Sequence, residues 1–188
     1  MGKIFTILGQ TCSGKTSLAK EVSKSLGIKQ ITTYTTRPAR KGEIDGVDYH
    51  FISNDDFACG SFICQNSFEV KPYGLCHYGV NMEDLDTEDD VLLIVTPSGL
   101  DELKNIYGER VFSIYIIASP LDRFNRYIQR EFNNPNVREE AARRLQADAQ
   151  DFTSLEYNVD EIIINKSYNK ALCKLDDIIA IEMMFSNE

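Results

Sequence analysis

The chain has 188 residues, 43% of them hydrophobic, and a formal net charge of −9. That is enough apolar material for one substantial core, and it predicts a single domain. The acidic balance excludes wide nucleic-acid binding, which needs a basic footprint, and no apolar run is long enough for a membrane span or a secretion signal, so the expected compartment is the cytoplasm.

Ile4 to Leu8 is a short apolar run suited to a buried parallel strand. It leads into Gly9-Gln10-Thr11-Cys12-Ser13-Gly14-Lys15-Thr16, a complete G-x-x-x-x-G-K-[ST] loop. Thr16 to Leu26 then carries apolar residues at helical spacing, with Gly27 as a stop. Strand, glycine loop and helix N-terminus place backbone N–H groups around an anion. In such a loop Gly9, Thr11, Cys12, Ser13, Gly14, Lys15, Thr16 and Ser17 hold the phosphates of a nucleoside triphosphate. Lys15 reaches the β- and γ-phosphates, and Thr16 is the expected Mg²⁺ ligand.

From Thr32 to about Asp86 the pattern changes to Thr, Gly, Tyr and short alternating runs such as Val47 to Ile52. A small β-rich insertion over about 32–86 is expected. Apolar strands return at Val91–Val95, Val111–Ile117 and Glu161–Ile164, separated by helical patterns. That order predicts a parallel sheet with crossover helices. Ser98 is the expected cap of one helix, with Asp101 in the capping-box position, and Ser119-Pro120 begins another. A second, helical insertion is expected over about 123–145, leaving a core of about 1–31, 87–122 and 146–188.

Five cysteines, Cys12, Cys59, Cys64, Cys76 and Cys173, are an odd number and read as reduced thiols. Neighbouring Cys76 and His77 cannot readily share one tetrahedral ion, and no C-x-x-C pair is present, which argues against zinc. Six of the nine arginines (Arg123, Arg126, Arg130, Arg138, Arg143, Arg144) lie in one stretch, and Arg37 and Arg40 lie in another. An acidic chain that concentrates arginine in this way is concentrating it on a small polyanion. Arg123, Arg126 and Arg130 share a helix face, where like charges repel by about 0.2–0.5 kcal/mol per pair, and a bound triphosphate relieves that repulsion. Arg123, Arg138 and Arg143 read as solvated charges balanced by Glu131, Glu139 and Glu140.

Thr35-Thr36-Arg37-Pro38-Ala39-Arg40-Lys41-Gly42-Glu43-Ile44-Asp45-Gly46-Val47-Asp48-Tyr49-His50-Phe51 closely resembles the T-T-R-x-P-R-x-G-E-x-x-G-x-D-Y-x-F signature of guanylate kinases. Glu69 followed by Tyr78-Gly79, the arginine-rich stretch and the late Ile162-Ile163-Ile164-Asn165 extend the resemblance over nearly the whole chain. It implies an α/β fold: a three-layer P-loop NTPase with a central parallel sheet, a small β-rich acceptor-binding insertion and a helical lid. It also implies ATP-dependent, Mg²⁺-assisted phosphorylation of GMP or dGMP to GDP or dGDP, in a protein that is a monomer or homo-oligomer without nucleic-acid or membrane partners. By resemblance, Lys15, Arg37, Arg130 and Arg144 supply positive charge to the transferring group. Arg37, Arg40, Tyr49 and Tyr78 bind the acceptor phosphate, and Thr33 and Glu69 read the guanine edge. Two family aspartates are replaced by Ile94 and Thr96, and a hydroxyl residue after Y-G is replaced by Val80. These departures are expected to weaken the metal shell and guanine selectivity. Two alternatives follow: a kinase for another phosphorylated acceptor such as ribose 1,5-bisphosphate, and a non-catalytic phosphopeptide-binding module of the same fold. The intact Lys15-Thr16 argues against the second.

Overall fold

The computed structural model describes residues 1–40, 42–70, 72–133, 135–153 and 158–185. Five parallel strands form the main sheet in the order β2 (Lys29–Gln30), β7 (Val91–Ile94), β1 (Ile4–Gly9), β8 (Val111–Ile117) and β9 (Glu161–Ile164). All six residues of β1 are buried, as a strand covered on both faces requires.

Strand alternation divides the core into two layers. Ile4, Leu8, Leu93 and Tyr115 pack with Leu100 and Leu103 of α3 (Pro97–Tyr107). Phe5, Ile7, Leu92, Ile114 and Ile116 pack on the other face with Leu18, Ala19 and Val22 of α1 (Lys15–Leu26) and with Ala171, Leu175 and Ile179 of α6 (Tyr168–Phe185). Helix, sheet, helix is the expected three-layer α/β arrangement. Gly27 closes α1 at φ 70°, a left-handed position that glycine adopts without strain.

The helix start at Ser98 needs correction. Pro97 occupies the first turn of α3, where its missing N–H costs nothing, and Thr96 is the cap, its hydroxyl accepting from Gly99 N–H at 3.2 Å. Ser119 does cap α4 (Pro120–Arg130) ahead of Pro120, accepting from Asp122 N–H at 3.1 Å.

A second sheet, in the order β4 (His50–Phe51), β3 (Tyr34–Thr35), β6 (Gly74–Asn81) and β5 (Phe62–Val70), is covered on one face by α2 (Asn54–Cys59). Phe57 of α2 stacks on Phe62 at 4.4 Å and on His77 at 5.5 Å. The alternating run from Val47 yields only His50–Phe51 as strand. Ahead of it the loop closes on itself, with Asp48 accepting from Ile44 N–H at 2.8 Å and Asp45 from Phe51 N–H at 2.9 Å. These side-chain bonds satisfy backbone groups that a longer strand would otherwise pair. The Arg-rich stretch forms α4 and α5 (Val137–Asp151).

Candidate phosphoryl-transfer site

At the carboxyl end of β1 the chain turns into α1. Cys12 has φ 60° and Gly14 φ 100° in that turn. At that φ any side chain is strained, and a Cβ at Gly14 would also lie 2.5 Å from Asn165 Nδ2. As the N-cap of α1, Gly14 makes no side-chain bond to the first-turn N–H groups. Those groups remain available to an anion.

The loop carbonyls are gripped by other elements. Asn165 donates to Ser13 O at 2.8 Å. Arg126 donates to Cys12 O at 3.2 Å and to Ser13 O and Asn165 O at 3.3 Å. Because the peptide is planar, fixing a carbonyl fixes the N–H on its other side. Lys15 Nζ lies 3.5 Å from Gln10 O. Burial pushes the Lys15 pKa down, and the nearby Asp148 charge opposes that shift. Thr16 and Ser17 are exposed at the start of α1.

Arg123 is not the solvated charge expected of it. Its side chain is 4% exposed and donates to Asp148 Oδ2 at 2.8 Å and to Thr11 O at 3.5 Å. The face of α4 that carries Arg123 and Arg126 packs on the phosphate loop, and their three-residue spacing was the signal for it. Removing one partner of such a buried pair costs about 3–5 kcal/mol. Arg130 and Arg144 each pack on the buried Tyr127 ring, at 5.1 and 5.7 Å from its centroid. Each has an acidic neighbour, Glu131 at 3.1 Å and Glu140 at 2.9 Å. Arg143 and Arg144 hold the Glu140 carboxyl down to about 2.

The second sheet carries a separate cluster built around Arg37. Arg37, 2% exposed, donates to Pro38 O at 2.7 Å and to Glu43 at 2.9 Å. Glu43 also accepts from Arg40 N–H at 2.7 Å, so one carboxylate organises the whole turn. The Arg37 guanidinium lies 5.4 Å from the Tyr49 ring centroid, and the Tyr49 and Tyr78 centroids are 5.9 Å apart. Burial works against the Arg37 charge, but Glu43 and Tyr78 outweigh it and hold the pKa above its usual value. Thr33 lies just before β3, its carbonyl accepting from His50 N–H at 2.9 Å. The site side chain of Arg40 is exposed.

Glu69 is not brought to Tyr78. In the β5–β6 register Asn66 faces Tyr78, while Glu69 faces Leu75. Alternation therefore puts Asn66, Phe68 and Tyr78 on one face and Ser67, Glu69 and His77 on the other, beside α2. The Phe68–Tyr78 ring contact at 5.8 Å and the Ser67–His77 bond at 2.8 Å agree with this division. Asn66 was missed by sequence reasoning. Its amide nitrogen donates to Cys64 O at 3.1 Å and to Thr96 Oγ1 at 3.4 Å, which leaves its carbonyl oxygen as an acceptor. The bond to Thr96 ties the second sheet to the carboxyl edge of the first. In open α/β sheets ligands bind outside the carboxyl ends of the strands.

Ile94 ends β7, half-buried against the α1–α6 layer, and Thr96 is occupied in capping α3. Among the described residues, no group of three or more His, Cys, Asp or Glu side chains could hold a metal ion. The Thr16 hydroxyl, exposed at the start of α1, is an oxygen donor of the kind Mg²⁺ prefers. Among the described residues no helix is long and apolar enough to cross a membrane.

Comparison with known proteins gives a consistent picture. The family model for guanylate kinase matches residues 1–182. The guanylate kinase of Thiobacillus denitrificans is 32% identical over 186 residues, covering 96% of this chain and 85% of that protein. That of Legionella pneumophila (strain Lens) is 29% identical over 184 residues, covering 95% and 85%. The crystal structure of guanylate kinase from Anaplasma phagocytophilum superposes with a TM-score of 0.72 at 26% identity, covering 97% of this chain and 87% of that one.

Proposed function

The chain belongs to the guanylate kinase family, and we propose that it transfers the γ-phosphoryl group of ATP to GMP or dGMP, giving ADP and GDP or dGDP. The observation that supports this reading is the presence of two separate clusters that each carry a buried or half-buried cation. One is the phosphate loop with Lys15, and the other is the Arg37–Glu43–Tyr49–Tyr78 cluster. Phosphoryl transfer needs alignment of two phosphorylated substrates and neutralisation of the moving charge. Arg37, Arg40, Tyr49 and Tyr78 hold the acceptor phosphate, and Arg130 and Arg144 leave their acidic neighbours to approach the donor as the lid closes. Mg²⁺ on Thr16 supplies further charge neutralisation when bound.

The test is ADP formation with a panel of acceptors: GMP, dGMP, AMP and ribose 1,5-bisphosphate. Turnover with GMP and dGMP well above AMP is expected. Ribose 1,5-bisphosphate as best acceptor reassigns the substrate, and no ATP turnover with any of the four leaves the phosphopeptide-binding module.

Guanine offers two donors, N1–H and the 2-amino group. The Asn66 carbonyl oxygen, on the Tyr78 face, and Thr33, just before β3, are the groups we assign to them. Asn66→Ala is expected to narrow the GMP/AMP ratio of kcat/KM by about 2–12-fold, the scale of one substrate hydrogen bond of about 0.5–1.5 kcal/mol. Glu69→Gln is expected to narrow it less. The reverse order would show that the hairpin turns Glu69 toward the base in the bound state.

The metal dependence tests the other departure. Aspartate caps helices as well as threonine does, so Thr96→Asp should preserve α3. It should also lower the Mg²⁺ concentration for half-maximal rate several-fold. An unchanged Mg²⁺ titration removes Thr96 from the account of metal binding.

A further inference from the structure

Arg144 and Asp148 lie four residues apart on α5, so they share a face, one turn from each other. Arg144 points over Tyr127 of α4 and is 46% exposed. Asp148 is 14% exposed and reaches the phosphate loop. Its carboxylate accepts from Thr11 N–H at 2.8 Å, from the Thr11 hydroxyl at 3.1 Å and from Arg123 at 2.8 Å. Its backbone carbonyl accepts from the Gln10 side chain at 3.4 Å. Arg123 stands four residues before Tyr127 on α4 and also reaches Thr11 O. Both helices that carry the donor-side arginines are therefore tied at their bases to one residue of the phosphate loop.

A carboxylate next to a triphosphate site works against anion binding by its charge alone. Here Arg123 pairs with that charge at 2.8 Å, and the carboxylate's bonds run to Thr11 and Arg123, so what it contributes to the lid is position. We infer that Asp148 is a positioning residue: by fixing the late turns of α5 on Thr11, it sets where Arg144 and, through Tyr127, Arg130 come down over the donor γ-phosphate. This inference rests on the transfer role given to Arg144 above.

The test is a double-mutant cycle on kcat with saturating ATP and GMP, using Asp148→Ala, Arg144→Ala and both together. ATP affinity is followed by calorimetry and folding by thermal melting. Asp148→Ala is expected to lower kcat about 10–100-fold with KM for GMP unchanged. The loss in the double variant should fall well short of the product of the two single losses, because Asp148→Ala already removes the placement of Arg144 and only that of Arg130 is left to lose. Asp148→Asn, which keeps an acceptor for Thr11 N–H, should show a smaller loss in the same direction. If Asp148→Ala does not fold, Asp148→Asn takes its place in the cycle. Losses that multiply in the double variant overturn the inference, as does a lowered melting temperature with unchanged kcat. An Arg144→Ala rate equal to wild type overturns the lid reading itself, and that single variant tells the two failures apart.

Discussion

Replacing Lys15 by methionine is expected to lower kcat by at least about 10³-fold, a loss of about 4 kcal/mol of transition-state stabilisation. The ammonium is the cation the loop sequence sets against the β- and γ-phosphates, and a preorganised charge in a water-poor site is worth far more than one in bulk water. Methionine keeps an unbranched apolar stem, one heavy atom shorter, and removes the ammonium with its charge and its three donors. The fold should not suffer, because Nζ makes only a long contact to Gln10 O at 3.5 Å. Burial also pushes the Lys15 pKa down, which means that its surroundings in the protein disfavour the charged form. Removing that charge should therefore leave the melting temperature equal or raise it. ADP formation with GMP, circular dichroism and a thermal melt check both halves. A folded variant with near wild-type turnover would sink the proposed mechanism.

The phosphate loop was legible because its chemistry is local. Glycine positions, lysine and a following helix are consecutive in sequence, and the backbone dihedrals at Gly14 are what the motif requires. The central strands were legible because burial on both faces writes continuous apolar runs. The start of α3 was misread because Thr96 and Ser98 are both good caps, and the decision belongs to the proline between them.

The long-range side-chain partnerships stayed hidden. Nothing around Asp148 in the sequence points to Thr11, 137 residues away. Asn165 and Ser13 are 152 residues apart. The arginine face of α4 was visible as a spacing, but which of its members is buried depends on what packs against it. Glu69 shows the limit of motif spacing in strands. Nine residues separate it from Tyr78 in the chain, yet the side a residue faces follows from register, and a hairpin register is set by its turn. The irregularity between Ile63 and Asn66, with Cys64 at φ 52°, is a further shift that no residue count reveals.

Arg37→Met is expected to lower kcat/KM for GMP by about 10²–10³-fold, mostly through KM, while leaving ATP affinity unchanged. Two charge-assisted hydrogen bonds to a phosphate contribute about 1.5–3 kcal/mol each, and methionine makes neither. The side chain is already oriented before the acceptor arrives, because Glu43 and Pro38 O fix the guanidinium and the Tyr49 ring lies beside it. Preorganisation of this kind reduces the entropy lost on binding. The substitution also strands Glu43, which is 20% exposed, so a lower melting temperature is expected too. Arg37→Lys separates the two effects: it keeps the charge opposite Glu43 but loses the planar fork. It should recover most of the melting temperature and only part of the GMP affinity. Initial rates over a GMP titration, calorimetric ATP binding and thermal melts give the three readouts. If Arg37→Met weakens ATP and GMP equally, the cluster on the second sheet is not a dedicated acceptor site. Recovery of full activity by Arg37→Lys would mean that charge alone is used there, without the two-pronged geometry that the Glu43 contact pre-sets.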